Sequence, residues 1–390
     1  MDITIHPRLL SGTVKAIPSK SVAHRLLICA ALSDAETFIE CPETNQDIEA
    51  TADCLRALGA GINRSSSGYC VSPIGKTPKS ASLYCKESGS TLRFMLPIVG
   101  ALGVDATFYM EGRLPQRPLS PLWEVLVLHG CTLSRPTANT IRSTGKLTPD
   151  AYTIDGSVSS QYITGLIFAL AIMGHDSSLN VTGKVESKPY IEMTRRILAL
   201  FSATKYPFHS PGQICVEGDW SNAAFILAAK VLGNTVEVCG LTEDSPQGDR
   251  AAYEILNNIQ NMDTIDAADI PDLVPILAVT AGLIKKMTFT NIARLRLKES
   301  DRVASVADML HRLGAQVIVE DNAMTVIPGA YHGCTIDSAG DHRIAMAASI
   351  AATKADGPVT ILNAHCVAKS YPTFWEEYRK LGGSYEQYIR

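Results

Sequence analysis

The chain has 390 residues, of which 46% are hydrophobic and 19% charged, and its 35 Lys and Arg against 39 Asp and Glu give a formal net charge of −4. This composition is that of a folded protein of two or three domains and excludes a disordered or fibrous chain. The slight acidic excess argues against non-specific nucleic-acid binding, so local basic clusters would have to bind any anionic ligand.

The first residues alternate like a β-strand and carry an acid, Asp2, so we expect neither a secretory signal nor a transit peptide. No apolar run reaches the roughly 18 residues that a membrane span needs, and we expect no membrane partner. The ten cysteines are spread along the chain without a CxxC pair. Reduced thiols are therefore expected, which favours a cytoplasmic location.

Apolar helices that end in a Leu-rich turn, usually with Gly, recur along the chain. Six such ends occur at 55–59, 126–130, 197–201, 255–259, 309–314 and 378–382. Their spacing of roughly 55 to 70 residues exceeds that of solenoid repeats and leaves room for two helices and several strands in each period. Beyond Gly314, the pattern predicts strands at 315–319 and 324–327 joined by a turn. Six copies would make two three-unit domains, although generic helix ends are the alternative interpretation.

Residues able to bind anions concentrate where helices are predicted to begin. Ser19, Lys20 and Ser21 precede an apolar helix, with Arg25 one turn further on. Free backbone N–H groups, the helix dipole and two cations suit a phosphate. Four further predicted helix starts, at 88–93, 159–161, 298–302 and 341–343, repeat this arrangement. Capping could explain each one separately, but five together favour an enzyme or binder for a multiply anionic small molecule.

Several common catalytic motifs are absent from the sequence. It contains no phosphate-binding GxxxxGK[ST] loop, no dinucleotide-binding GxGxxG, no GxSxG elbow and no HExxH. The nine histidines show no metal-ligand spacing. We therefore expect neither a metal nor a cofactor.

Eight motifs, in this order, resemble those of the 3-phosphoshikimate 1-carboxyvinyltransferase (EPSP synthase) family. They are 18–21 with Arg25, 88–93, 117–119, 159–161, 187–190, 298–302, 341–343 and 368–372. The resemblance extends from Thr13 to Tyr378 and so covers nearly the whole chain.

The resemblance implies an α/β (α+β) fold of two similar domains, each built of three βαβαββ units, of the inside-out α/β barrel type. The implied N-terminal domain is 12–213, and the implied C-terminal domain joins 1–11 to 214–390. Two chain crossings between the domains would form a hinge. Because basic residues are expected in both domains, the empty form should open by mutual repulsion and close over anionic substrates.

The family transfers the enolpyruvyl group of phosphoenolpyruvate to the 5-hydroxyl of shikimate 3-phosphate in aromatic amino-acid biosynthesis. The hydroxyl adds at C2 of phosphoenolpyruvate while C3 is protonated, and the tetrahedral intermediate then loses phosphate and a methyl proton. The reaction needs an acid, a base and neutralisation of several negative charges.

The resemblance assigns roles to particular residues of this chain. Those that would bind phosphoenolpyruvate are Lys20, Gly89, Arg117, Gln161, Arg302, Arg343 and Lys369. Those that would bind shikimate 3-phosphate are Lys20, Ser21, Arg25, Ser159, Ser160, Gln161, Ser187, Tyr190, Asp272 and Lys298. Asp272 would be the base on the 5-hydroxyl, and Glu299 or Lys20 would handle the proton at the methylene carbon.

Three positions depart from the family pattern. Glu87 stands where Asn is common, Ser90 where Thr is usual, and Arg294 where a shorter polar residue often precedes the Lys-Glu pair. A carboxylate beside an anion site repels the ligand unless a cation pairs with it. We therefore expect Glu87 to be paired, and we have no account of Arg294.

Two alternative functions stay open at this point. The related UDP-N-acetylglucosamine enolpyruvyl transferases share the architecture but typically have a Lys-Asn pair near the N-terminus and a reactive Cys in a mobile loop. A non-catalytic anion-binding relative would need the cations but not both Asp272 and Glu299. The favoured interpretation is a monomeric transferase of two small-molecule substrates.

Overall fold

The structure is a computed structural model that describes residues 1–174, 176–203 and 206–388. The chain forms two compact units. Unit I is the continuous segment Pro18–Glu217, and unit II joins Met1–Ile17 to the described residues from Gly218 onward. The chain therefore crosses between the units twice, after Ile17 and after Glu217.

Strands and helices are numbered in chain order within the described residues. The strands are β1 (Asp2–His6), β2 (Ser11–Lys15), β3 (Thr37–Glu40), β4 (Gly61–Arg64), β5 (Gly68–Ser72), β6 (Ser80–Lys86), β7 (Asp105–Met110), β8 (Cys131–Ser134), β9 (Thr140–Gly145), β10 (Ala151–Asp155), β11 (Ser178–Thr182), β12 (Gln213–Cys215), β13 (Thr235–Cys239), β14 (Thr264–Asp266), β15 (Met287–Thr290), β16 (Gln316–Val319), β17 (Ala323–Ile327), β18 (Cys334–Asp337), β19 (Val359–Leu362) and β20 (Ser384–Tyr388). The helices are α1 (Lys20–Ala31), α2 (Gln46–Ala57), α3 (Gly89–Leu102), α4 (Leu122–Leu128), α5 (Ser160–Met173), α6 (Lys188–Leu200), α7 (Trp220–Val231), α8 (Ala251–Asn258), α9 (Val274–Ile284), α10 (Arg302–Leu313), α11 (His342–Ala352) and α12 (Phe374–Lys380).

Four sheets repeat one pattern of strand pairing, two in each unit. Their strand orders are β12-β3-β5-β4 and β6-β7-β9-β8 in unit I, and β14-β15-β17-β16 and β18-β19-β1-β20 in unit II. In every one the first pair is parallel and the other two pairs are antiparallel. A two-stranded parallel ribbon completes each unit, β10 with β11 in unit I and β2 with β13 in unit II. The mixed α/β class and the repeated architecture predicted from the sequence are confirmed.

Each unit has its own hydrophobic core around apolar helices. All residues of α11 are buried, as are most of those of α9 in unit II and of α3 in unit I. A helix that is apolar on every side is stable only when other elements surround it. The charged residue of α3, Arg93, and those of α11, His342 and Arg343, lie near the starts of their helices, where candidate site residues also occur.

The predicted helix starts are confirmed at α1, α3, α5, α10 and α11. Side-chain oxygens cap four of them, because Ser88, Ser159, Asp301 and Asp341 each accept a hydrogen bond from a backbone N–H of the first turn. The Leu-rich segments coincide with the ends of helices α2, α4, α6, α8, α10 and α12. The strands predicted after Gly314 are observed as β16 and β17.

The crossings lie further along the chain than the expected boundaries after residues 11 and 213. Strand β2 pairs with β13, which holds residues 11–15 in unit II. Strand β12 pairs with β3, which holds residues 213–215 in unit I. Long-range strand pairing thus fixes both positions, and a hinge function for the crossings stays a prediction.

None of the helices in the described part of the chain is both long and apolar enough to cross a membrane.

Candidate functional site

The start of helix α1 presents a lysine that is held by a buried acid. The Nζ of Lys20 lies 2.9 Å from Oδ2 of Asp47, which is near the start of the neighbouring helix α2. Both side chains are largely buried. Lys20 is the first residue of α1, the helix end at which the dipole favours an anion, and the ion pair fixes its ammonium group.

Arg25, one turn into α1, is a buried cation whose partners are uncharged. Its Nε donates to Oγ1 of Thr194 at 2.8 Å, and its Nη1 donates to the C=O of Ser21 at 2.6 Å. Its Nη2 donates to the C=O of Tyr190 at 3.1 Å and lies 3.4 Å from Oγ1 of Thr164. Burial lowers the pKa of Arg25 to about 10. These contacts join α1 to α5 and α6, and they leave the positive charge without a carboxylate among the described residues.

A second group of unit I surrounds the start of helix α3. A Cβ built on Gly89 would lie 2.8 Å from Nη1 of both Arg93 and Arg117, so the backbone there lies directly against two guanidinium groups. The Nη1 of Arg93 donates to Oε1 of Gln161 at 2.6 Å, and Nε2 of Gln161 donates to Oγ of Ser90 at 2.8 Å. The structure therefore brings together Gly89, Arg117 and Gln161, which the resemblance assigns to phosphoenolpyruvate.

The predicted serines lie at the starts of two further helices of unit I. Ser159 caps α5 and accepts from the N–H of Gln161 at 3.3 Å, and the next residue, Ser160, is buried. Ser187 precedes α6 with a φ of 54°, and its C=O accepts from the N–H of Tyr190. Arg25 contacts Thr164 of α5 and Thr194 of α6, the two helices at whose starts these serines lie.

Unit II contains a dense cluster of ions around Asp272, just before helix α9. Oδ1 of Asp272 lies 3.2 Å from Nζ of Lys298 and 2.5 Å from Nη1 of Arg302. Nη2 of Arg343 lies 3.4 Å from Oδ2 of Asp272, and its Nη1 donates to the Asp272 C=O at 3.2 Å. Burial alone would raise the pKa of Asp272, but the three cations outweigh it and hold that pKa well below its ordinary value. Asp272 is thus an ionised carboxylate bound by three cations.

Arg302 is almost completely buried and binds two further acids. Its Nε lies 2.8 Å from Oδ2 of Asp341, and its Nη2 lies 2.7 Å from Oε2 of Glu299. Ser300 donates to the same Asp341 oxygen at 3.1 Å. The structure therefore brings Asp272, Glu299 and Asp341 into contact with Arg302.

Two other groups of unit II have pKa values near neutrality. Burial lowers the pKa of Lys298 to about 8, against the opposing charge of Asp272. Burial raises the pKa of Asp249 to about 7, and the negative charge of Asp272 acts in the same direction. Asp249 accepts a hydrogen bond from Ser221. Burial thus acts against the charged form of both groups.

Lys369, the last predicted cation, is buried at the end of the short 3-10 helix Ala364–Lys369. This helix packs against α11, which carries Arg343 in its first turn. Burial raises the pKa of the Cys366 thiol, and the positive charge of Lys369 acts in the opposite direction.

Glu87 lies against the backbone of Gly112, where an added Cβ would overlap its carboxylate. The expected pairing of Glu87 with a cation stays a prediction. Arg294 lies close enough to Lys298 for its charge to lower the pKa of that lysine.

Four residues that lie beside the predicted site residues had no role assigned from the sequence: Asp47, Arg93, Asp249 and Asp341. Arg93 and Asp341 lie within the quoted motifs, so their position beside predicted residues was a usable signal. Asp47 and Asp249 lie outside every motif quoted, and only the fold brings them to Lys20 and to Asp272. No group of three or more His, Cys, Asp or Glu suited to a metal ion occurs in the part of the chain that the structure describes.

Comparison with known proteins identifies the family of this chain. The sequence model of EPSP synthase (3-phosphoshikimate 1-carboxyvinyltransferase) matches residues 5–264 and 259–378. The chain belongs to the EPSP synthase family. The predicted family and transferase class are thereby confirmed, and family membership supports the shikimate-pathway enolpyruvyl transfer.

Curated relatives of the same name match this chain over nearly their whole length. The 3-phosphoshikimate 1-carboxyvinyltransferase of Clostridium kluyveri is 36% identical, with 99% of this chain and 98% of that protein covered. The enzyme of the same name from Clostridioides difficile is 34% identical, with 99% of each chain covered.

Solved structures share the fold at lower sequence identity. An EPSP synthase from Acinetobacter baumannii matches with a TM-score of 0.80 and 21% identity over 100% of both chains. The enolpyruvyl transferase NikO from Streptomyces tendae matches with a TM-score of 0.77 and 18% identity, covering 99% of this chain and 98% of that one. These likenesses concern the two-domain inside-out α/β fold alone.

Proposed function

We propose that this chain transfers the enolpyruvyl group of phosphoenolpyruvate to the 5-hydroxyl of shikimate 3-phosphate, giving 5-enolpyruvylshikimate 3-phosphate and phosphate. The observation that carries the proposal is the cluster of Lys298, Arg302 and Arg343 around Asp272. It offers an ionised carboxylate as a base and three fixed cations for anionic substrates in one place. Family membership supports the same reaction.

The reaction proceeds by addition and elimination. Asp272 takes the proton of the 5-hydroxyl, and the hydroxyl oxygen attacks C2 of phosphoenolpyruvate. At the same time C3 of phosphoenolpyruvate gains a proton and becomes a methyl group. The tetrahedral intermediate then loses phosphate and one methyl proton. Glu299 and Lys20 are the candidates for the proton transfers at that carbon, each fixed by an ion pair, Glu299 with Arg302 and Lys20 with Asp47.

Shikimate 3-phosphate is proposed to bind Ser21, Arg25 and the serines of α5 and α6, with Lys298 and Asp272 at its hydroxyls. The support for this part is Arg25, a buried guanidinium that meets only neutral acceptors in the described residues. An uncompensated buried cation gains more from a bound phosphate than a cation already paired with a carboxylate.

Phosphoenolpyruvate is proposed to bind the group around Gly89 together with Arg302, Arg343 and Lys369. Gly89 has no side chain, and its backbone lies against Arg93 and Arg117. This contact supports the proposed phosphoenolpyruvate site, because a small anion must closely approach N–H donors and guanidinium groups.

Domain closure is part of the proposal because cations occur in both units. Without ligand their mutual repulsion favours an open form, and the two anionic substrates draw the units together. Small-angle X-ray scattering should show a smaller radius of gyration after addition of shikimate 3-phosphate. An unchanged radius would contradict closure in this protein.

The proposed reaction is tested by phosphate release from phosphoenolpyruvate without added metal. One tube contains shikimate 3-phosphate and a second contains UDP-N-acetylglucosamine, with the Asp272→Asn variant as the control for a contaminating phosphatase. Release only with shikimate 3-phosphate supports the proposal. Phosphate release only in the second tube would identify a UDP-N-acetylglucosamine enolpyruvyl transferase. No phosphate release in either tube would identify a non-catalytic anion binder.

We further propose that the protein acts as a cytoplasmic monomer with no nucleic-acid or membrane partner. All ten cysteines lie in the described part of the chain, and no disulfide joins any two of them. Light scattering should give a mass near the 42.0 kDa of one chain, and twice that value would contradict the monomer.

A further inference from the structure

Four buried side chains of unit I form a continuous line of hydrogen bonds. Nδ1 of His24 lies 2.7 Å from Oγ1 of Thr51, which lies 2.7 Å from Oγ1 of Thr91. Oγ1 of Thr91 donates to Oγ of Ser88 at 2.8 Å. The line joins helix α1, through α2, to the residue that caps α3, and all four residues are buried.

The direction of these hydrogen bonds follows from proton counting. A hydroxyl has one proton, and that of Thr91 goes to Ser88, so Thr91 accepts from Thr51. The proton of Thr51 is thereby used, so Thr51 accepts from the ring of His24. His24 therefore carries its proton on Nδ1. Burial lowers the pKa of His24 to about 3, which keeps the ring neutral, and Nε2 has no hydrogen-bond partner among the described residues.

The two ends of the line lie at the two substrate groups of unit I. His24 lies in α1 one turn after Lys20 and directly before Arg25. At the other end, Ser88 also accepts from the N–H of Thr91 and so fixes the first turn of α3, which starts at Gly89. In the middle, Thr51 lies one turn after Asp47, the partner of Lys20. The line thus fixes the starts of three helices relative to one another.

We propose that His24 is a positioning residue. Through Thr51 and Thr91 it fixes the start of α3, which binds phosphoenolpyruvate, relative to the start of α1, which binds shikimate 3-phosphate. This role rests on the proposed function. Because Thr51 is both acceptor and donor, loss of its hydroxyl breaks the line without removing any group that touches substrate. The effect then falls on the KM for phosphoenolpyruvate, while Lys20 and Arg25 continue to bind shikimate 3-phosphate.

The kinetic test uses Thr51→Val, which keeps the shape of the side chain. We expect the KM for phosphoenolpyruvate to rise about tenfold and the Kd for shikimate 3-phosphate alone to stay within twofold. His24→Ala should match Thr51→Val, and the double variant should be no worse than either, because both break one line. His24→Asn keeps a donor for Thr51 and should restore most of the affinity for phosphoenolpyruvate.

The matched control is Thr37→Val, which removes another buried threonine hydroxyl of unit I, hydrogen-bonded to Ser210 at 2.7 Å. Its KM for phosphoenolpyruvate should be that of the wild type. An equal rise in Thr37→Val and Thr51→Val would assign the effect to general loss of packing and overturn the positioning role.

A second readout does not depend on enzymatic activity. The ¹⁵N shifts of the His24 ring, assigned by their loss in His24→Asn, should show the Nδ1–H tautomer and no titration between pH 5 and 8. An Nε2–H tautomer or a protonated ring would overturn the hydrogen-bond line itself. If wild-type protein is inactive with both acceptors while the Nδ1–H tautomer is found, the proposed function fails and the substrate-positioning role falls with it, but the line stands.

Discussion

Arg302 and Asp341 form a two-point ion pair inside unit II, with Nε 2.8 Å from Oδ2 and Nη2 3.4 Å from Oδ1. Asp341 also caps helix α11 by accepting from the N–H of Arg343. One carboxylate therefore orients two candidate substrate-binding arginines, the first through its side chain and the second through its backbone.

We expect Asp341→Asn to destabilise the protein by about 3 kcal/mol, because it leaves part of the buried Arg302 charge uncompensated. Asn is as good a helix cap as Asp, so the substitution tests the charge and not the cap. The free energy of unfolding by urea measures the effect. Asp308→Asn is the control, since it breaks the exposed 2.7 Å pair with Arg312 and should change that free energy by less than about 1 kcal/mol. Equal effects of the two substitutions would contradict the structural role of Asp341.

Gly89→Ala should raise the KM for phosphoenolpyruvate about tenfold or more while kcat changes less. The new methyl group would lie 2.8 Å from guanidinium nitrogens of Arg93 and Arg117, and both must move away. Steady-state kinetics with phosphoenolpyruvate as the varied substrate checks this. Gly75→Ala is the control because, apart from its chain neighbours, no described residue has an atom within 4 Å of the added Cβ. An unchanged KM in Gly89→Ala would show that phosphoenolpyruvate binds elsewhere.

Asp272→Asn should lower kcat by about 10² to 10⁴-fold, the usual contribution of a general base. The same change leaves Lys298, Arg302 and Arg343 without their shared carboxylate. Anions should therefore stabilise the variant more than the wild type, which thermal unfolding in increasing sulfate would measure. A kcat within a few-fold of the wild type would exclude Asp272 as the base.

The affinity for shikimate 3-phosphate should fall at alkaline pH. Lys298, with a pKa of about 8, is cationic below that pH and becomes neutral above it. The value of kcat/KM for shikimate 3-phosphate should therefore fall about tenfold between pH 7 and 9. Lys298→Arg keeps its charge through this range and should give a flat profile. A wild-type profile as flat as that of the variant would contradict the lowered pKa.

The starts of the site helices could be predicted because their signals are local. Ser88, Asp301 and Asp341 cap the turns that immediately follow them, and capping depends on a few neighbouring residues. The apolar residues after each cap likewise indicated a buried helix.

The ion clusters could not be predicted in the same way. The contact of Asp272 with Lys298 and Arg343 joins residues 26 and 71 positions apart, and only the packing of α9 against α10 and α11 brings them together. The crossing after Ile17 depends on the pairing of β2 with β13, more than 200 residues away along the chain. Neither relationship leaves a signal in the local sequence.

Strand β1 lies between β19 and β20 in its sheet, although it precedes all of unit I in the chain. During synthesis on the ribosome, Asp2–His6 is made long before Val359–Leu362 and Ser384–Tyr388, its only strand partners in the described sheet. Unit I is a continuous segment and can complete its core while strand β1 is still unpaired. Strand β1 is thus made before unit I but is paired only after it, and assembly of unit II must close a loop that contains an entire folded unit.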